Sequence, residues 1–364
     1  MVAPLAAQAK EELPPSTHPT DSAAFAEAVG VKAVQFAAAP GLEFWVEDRA
    51  IQSALEKPLL AAWEEAVAIL PEPDPSAEIP YRVVVLKDEA AVMAYRPLFE
   101  AECARAGIQP PPASFYAEAA RLGSGKWTYP PLCLMRSANQ SKQMVVTRAV
   151  HDLGGLRIGL AISEQGYGVP EFLVEGFAGM LVRSAVSKPT ALVSHVQAAE
   201  AETIHGYGVF AGIGSAMNDS SNHPGNWPAA LRTVAKAWRK QGTVGEAERI
   251  DALLRRSRET FARSDYAYAW AVVEFLLDDR YPVGAVAVSA AADRKWKPAK
   301  AVEPSRRSVL VDAFDLLRHQ NYRMADEGTR AGLLLDFLKK QTQEEPAALH
   351  AAFQHWLDTG LPKK

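Results

Sequence analysis

Cysteine is nearly absent from this chain of 364 residues: Cys103 and Cys133 are the only two, and no Cys-x-x-Cys pair exists. That excludes a thiolate metal knuckle and a dithiol redox motif, and leaves either one disulfide formed in an oxidising compartment or two buried thiols. No run of about eighteen or more apolar residues occurs, so no segment reads as a conventional membrane-spanning helix. Charge of one sign is not in excess either. Lys and Arg number 39 against 43 Asp and Glu, a formal net charge of −4, which provides no global basic field for nucleic acid or an anionic membrane. No internal repeat of fixed period is present. No Gly-x-Ser-x-Gly elbow surrounds Ser137, Ser163 or Ser184, which removes the case for a serine hydrolase. The stretch from Leu122 to Trp127 lacks the spacing of a phosphate loop, offers no hydroxyl after Lys126, and reads as a turn.

What is present is an ordinary globular composition, 48% hydrophobic, enough for one large domain or two lobes. Residues 1–9 resemble the small-residue end of a secretory leader without its charged start, which would place the protein in the periplasm or outside the cell; otherwise it stays in the cytoplasm. Residues 10–21, rich in Pro, Ser, Thr and Glu, read as a flexible tether. Strand character at residues 29–36, 42–46, 82–86 and 127–135 alternates with helical spacing at 49–70 and from an Asp88 cap to 106, which predicts a small sheet with helices packed on it. From residue 143 onward the pattern is helical: 143–162, 170–184, 191–204, 227–240, 244–263, 266–278 with Asp265 as its cap, 308–317, 328–340 and 346–357. Residues 206–225 form a long Gly-rich loop. The expectation is an α+β protein: residues 1–23 a flexible segment or leader remnant, 24–142 a small α/β lobe, and 143–364 a predominantly helical lobe.

Within that helical part, His151-Asp152-Leu153-Gly154-Gly155 is followed by Pro170-Glu171-Phe172-Leu173-Val174-Glu175-Gly176-Phe177-Ala178. In a zinc peptidase of the His-Glu-x-x-His type, two imidazoles one turn apart bind one Zn²⁺ and the Glu activates the metal-bound water. The stretch from Val145 to Ser184 resembles the gluzincin peptidases, in particular the bacterial peptidase-MA-like group, whose second helix reads Pro-x-Trp-Leu-x-Glu-Gly-x-Ala. The helix Tyr266-Ala267-Tyr268-Ala269-Trp270 through Phe275-Leu276 resembles that group's Tyr-x-x-x-Trp-x-x-x-x-Phe-Leu helix, and the resemblance runs roughly from Arg82 to Leu357. It implies a zincin-like helical lobe, with His151 at the first zinc-ligand position, Glu175 at the third and Asp152 at the general base. Gly155 stands at the second-ligand position, where no side chain can coordinate. Asp152 is one methylene shorter than Glu, which draws its carboxylate back by about 1.5 Å.

The resemblance thus implies a noncatalytic or nearly inactive metallopeptidase-like protein without a cofactor, whose cleft binds a peptide or protein segment. The competing readings are an active zinc-dependent hydrolase with a rebuilt ligand set, and a structural scaffold associated with the cell envelope. A rebuilt set would draw on His195, His205 or His223; His319, His350 and His355 read as partly exposed helix residues. His151 and Glu175 would otherwise form a metal-free buried pair. Tyr266 and Tyr268 either stabilise an oxyanion at the cleft or pack in the core. Gly154 and Gly155 together weaken a helix by about 2 kcal/mol relative to Ala. Either something approaches their backbone closely, such as the 206–225 loop, or the helix breaks there and restarts at Leu156. Arg255, Arg256 and Arg258, interspersed with acids, read as a solvated salt-bridged face.

Overall fold

The computed structural model describes residues 18–19, 21–70, 79–162, 168–190, 223–241, 250–257, 260–261, 263–281, 283 and 306–359. The class is α+β, with a five-stranded sheet in the N-terminal part and helices beyond it. The chain divides into two compact units, Met1–Arg49 with Pro75–Ala138, and Ala50–Asp74 with Asn139–Lys364.

In the first unit, α1 (Ser22–Ala28) precedes the hairpin β1 (Gln35–Ala39) and β2 (Leu42–Val46). The 21-residue helix α2 (Arg49–Ile69) follows, and by its contacts it groups with the second unit, apart from the sheet it interrupts in sequence. The chain returns as β3 (Tyr81–Leu86), α3 (Glu89–Ala94), α4 (Arg96–Arg105), α5 (Ala113–Leu122), β4 (Ser124–Trp127) and β5 (Leu132–Arg136). Strand order is β1-β2-β3-β5-β4, with antiparallel outer pairs and parallel inner pairs. Central β3 is buried along its whole length, which explains its uninterrupted Val83-Val84-Val85-Leu86 run. Trp45, Val84, Leu86, Leu132 and Leu134 form one core cluster with Phe25, Val92, Tyr95, Phe99 and Tyr116 from the helices.

Several boundaries depart from the sequence expectation for local reasons. Residues 29–36 are not one strand: Val29 closes α1, and pairing begins only at Gln35. The expected 127–135 strand is two, β4 and β5, with Pro130 and Pro131 in their connection because proline cannot donate to a ladder. The stretch read as a turn before Trp127 is β4 itself, entered through Gly123, whose φ of 87° caps α5 in the left-handed region. Asp88 does cap, its carboxylate accepting the Ala91 N–H at 3.0 Å, but the helix it starts ends at Ala94 and a second begins at Arg96. Cys103 on α4 and Cys133 on β5 are both buried free thiols. The tether expected over residues 10–21 does not extend to His18, which is only 4% exposed.

The second unit contains α2, α6 (Lys142–Ile162), α7 (Glu171–Ala185), a 3-10 turn (Pro224–Asn226), α8 (Trp227–Gln241), α9 (Ile250–Leu254), α10 (Arg263–Leu277), α11 (Arg306–Arg318), α12 (Gln320–Arg323), α13 (Glu327–Thr342) and α14 (Pro346–Thr359). The expected helix at 191–204 and the 206–225 loop up to residue 222 lie outside the described residues, as do 244–249, 258–259 and 262. Of the helix expected over 244–263, the described residues up to 261 are helical only at Ile250–Leu254, and the chain leaves the helix from Arg255. Asp265 does not cap α10; it lies in the helix's first turn, fully buried and ion-paired with Arg256, so this part of the basic face is not solvated.

Helix α6 is unbroken through Gly154 and Gly155, and from Val145 to Gly159 only Arg148 is not buried. A helix buried on all sides must meet neighbours on all sides. The close approach comes from α7: a Cβ on Gly154 would lie 3.0 Å from both Ala178 Cα and Leu181 Cδ1. One layer further, a Cβ on Gly176 of α7 would collide with the Ala269 carbonyl oxygen of α10, and one on Gly179 would come within 2.8 Å of the Trp227 ring. Gly176→Ala should therefore lower stability by about 1–3 kcal/mol despite the better helix propensity of Ala. Gly332→Ala on α13, where nothing lies within 4 Å, should raise it by about 0.5–1 kcal/mol. Urea unfolding of the two variants checks this, and equal shifts of the same sign would refute the packing account.

Candidate functional site

The close packing of α6 on α7 brings His151 and Glu175 together. His151 Nε2 lies 3.1 Å from Glu175 Oε2, with side chains 10% and 8% exposed. This is a buried ion-pair contact, with charge attraction to Glu175 as its main favourable contribution. The other ring nitrogen, Nδ1, lies 3.6 Å from Asp152 Oδ1, and Asp152 is also attracted by Arg148 one turn earlier on α6. Burial alone would strip the proton from this imidazole. The Glu175 and Asp152 carboxylates outweigh that effect and raise its pKa to about 9, so the site holds an imidazolium between two carboxylates at neutral pH.

This donor arrangement does not fit a catalytic zinc centre. Such a centre takes three protein ligands and a water on one side of the metal. Here Glu175 is on the Nε2 side of the ring, whereas Asp152 is on the Nδ1 side. Gly155, buried in α6 one turn from His151, offers no donor. Among the described residues, no group of three His, Cys, Asp or Glu side chains is placed to hold a metal ion.

The other expected residues go elsewhere. Tyr266 packs edge-on against Phe261, with ring centroids 5.3 Å apart, and Tyr268 against Phe353 of α14 at 5.4 Å. Both occupy aromatic core positions. His223 precedes the 3-10 turn, and His195 and His205 lie outside the described residues. His319 is exposed, with its Nδ1 accepting the Asn321 N–H at 3.3 Å. His350 and His355 are not partly exposed, as expected from sequence, but 6% and 9% exposed; His355 Nδ1 bonds the Tyr281 hydroxyl at 2.7 Å.

Sequence reading missed the polar layer behind the pair. Trp270 Nε1 donates to Glu274 Oε1 at 3.0 Å, the Arg183 guanidinium lies 4.5 Å from the Trp270 ring, and Arg183 donates to the Pro224 carbonyl. Burial raises the Glu274 carboxyl above its ordinary range, partly countered by Trp270 and Arg183. The Trp270 and Glu274 spacing of one helical turn was the available signal. No family model, curated protein or solved structure matches this chain.

Removing one partner of a buried pair leaves the other charged and desolvated, so His151→Ala should cost about 3–5 kcal/mol. In a cycle with Glu175→Ala, the second substitution should cost at least about 1 kcal/mol less than it does alone. Chemical denaturation of the four proteins measures that coupling, and strict additivity would show that the pair contributes nothing.

Proposed function

We propose that this protein is a noncatalytic, metallopeptidase-like protein that has kept the helix pair of a gluzincin site without its chemistry and acts by binding a peptide or protein segment. The observation that carries the loss of chemistry is the placement of Asp152 and Glu175 on opposite ring nitrogens of His151. A general base must share the metal's side of the ring to take a proton from bound water, and distance errors of an ångström already weaken such catalysis severely. Gly155 adds the missing second ligand to that account. The peptide or protein segment as ligand class is supported by the resemblance of residues 145–184 to peptidase helices, an argument from likeness of fold.

Zinc titrated into the purified protein by calorimetry should give no stoichiometric binding at micromolar concentration, and fluorogenic peptide libraries should show no cleavage that depends on His151. The double substitution Asp152→Glu with Gly155→His should introduce tight one-to-one zinc binding. Stoichiometric zinc in the wild type, together with peptide hydrolysis abolished by His151→Ala, would overturn the proposal. Failure of the wild type to retain any sequence from a random-peptide display library would overturn the binding part alone.

A further inference from the structure

In the first unit, His18 is built into an aromatic box. Its ring centroid is 5.5 Å from Phe25 of α1, 5.4 Å from Trp45 of β2 and 5.9 Å from Tyr95 between α3 and α4. Nε2 is 3.3 Å from the Tyr95 hydroxyl and Nδ1 is 3.3 Å from the Pro19 carbonyl. Phe25 and Trp45 stack on each other at 4.6 Å, and Trp45 also meets Phe36 of β1 at 4.3 Å, so the ring seals an aromatic stack joining α1 to the sheet. His18 lies before the Asp21 cap of α1 and packs on the same Phe25 and Trp45 stack that anchors that helix to the core.

We propose that His18 is an acid-sensitive latch: the neutral ring strengthens the hold of the α1 entry on the Trp45 and Tyr95 face, and protonation drives the ring out. The groups facing it explain the sign. From β3 comes Arg82, whose positive charge opposes a second one nearby. From α4 comes Glu102, while Cys103 of α4 and Glu43 of β2 act on the neighbouring Tyr95. The two carboxylates are already engaged: Arg82 Nε bonds Glu43 at 3.1 Å, and Glu102 binds Arg105 at 2.6 Å and lies 3.5 Å from Arg82. From α1 the facing side chain is Phe25, and Asp21 is occupied in capping the Ala23 and Ala24 N–H groups. An imidazolium there would lose its hydration inside an aromatic box beside a guanidinium. Burial first, and Arg82 second, lower the His18 pKa from 6.5 to about 3, against the weaker opposing pull of Glu102.

The sign of the linkage follows from that direction. A histidine depressed in the docked state favours docking fully above pH 6.5 and loses that contribution as pH falls toward 3, because only the released ring binds the proton. The ratio of released to docked latch should rise about tenfold per pH unit across that window. Hydrogen exchange of the α1 amides in the full chain, corrected for intrinsic rates, reads this ratio between pH 7 and 4. In the wild type the opening constant should climb about tenfold per unit, while in His18→Phe and in His18→Gln, neither of which titrates, it should stay flat. If the Phe variant does not fold, the Gln variant alone decides. A flat wild-type profile, the same slope in the variants, or β3 amides opening in step with α1 would each refute the latch.

Discussion

The absence of side chains at three glycines is the constraint from which the second unit is built. Gly154, Gly176 and Gly179 let α6, α7 and α10 approach so closely that a Cβ would meet backbone or a tryptophan ring. Close approach increases burial and leaves polar groups between the helices little solvent contact, the His151 and Glu175 side chains being 10% and 8% exposed. Any charge in that layer must be met by another charge from the protein. His151 on α6 and Glu175 on α7, each adjacent to this glycine packing, satisfy that requirement for each other.

The glycine after Glu175 is therefore explained by packing alone. Gly176 lies beneath the Ala269 carbonyl, and Gly179 beneath Trp227, whose ring is 5.8 Å from Trp270. The Trp270 indole also donates to Glu274 and carries Arg183 over its face, which extends the polar layer away from His151. Among the described residues of the second unit, charges thus meet between α6 and α7, where His151 faces Glu175, and between α7 and α10, where Arg183 and Glu274 flank Trp270. The first unit solves the same problem through arginine, with Arg82 and Arg105 gripping Glu102, which is completely buried.

Much of this arrangement was legible because it is local. Asp88 as a cap, the apolar run of β3, and the helical periods of α2, α6, α7, α10 and α14 are written in spacing of few residues. The His151 and Glu175 pairing was legible too, since two marked helices joined by a short connection leave few ways to pack. What was not legible depends on distant partners. Nothing within residues 10–21 announces that His18 enters a box made by Phe25, Trp45 and Tyr95, or within α14 that His355 meets Tyr281. The side of the imidazole taken by Asp152 was equally hidden. It follows from ring orientation, with Nε2 turned to Glu175 of α7 and Nδ1 to Asp152.

That orientation also bears on why the His151 and Glu175 pair is physically durable. An imidazolium held between two carboxylates is stable only while at least one stays charged, and each buried carboxylate is tolerable only while the ring keeps its proton. Substituting one member leaves the others charged and largely buried. A paired replacement by apolar groups of the same volume would relieve this, but no single substitution does. The pair is thus locked by packing, with a stability role that requires neither metal nor catalysis. What holds His151 in place is therefore the charge it carries into the contact of α6 with α7.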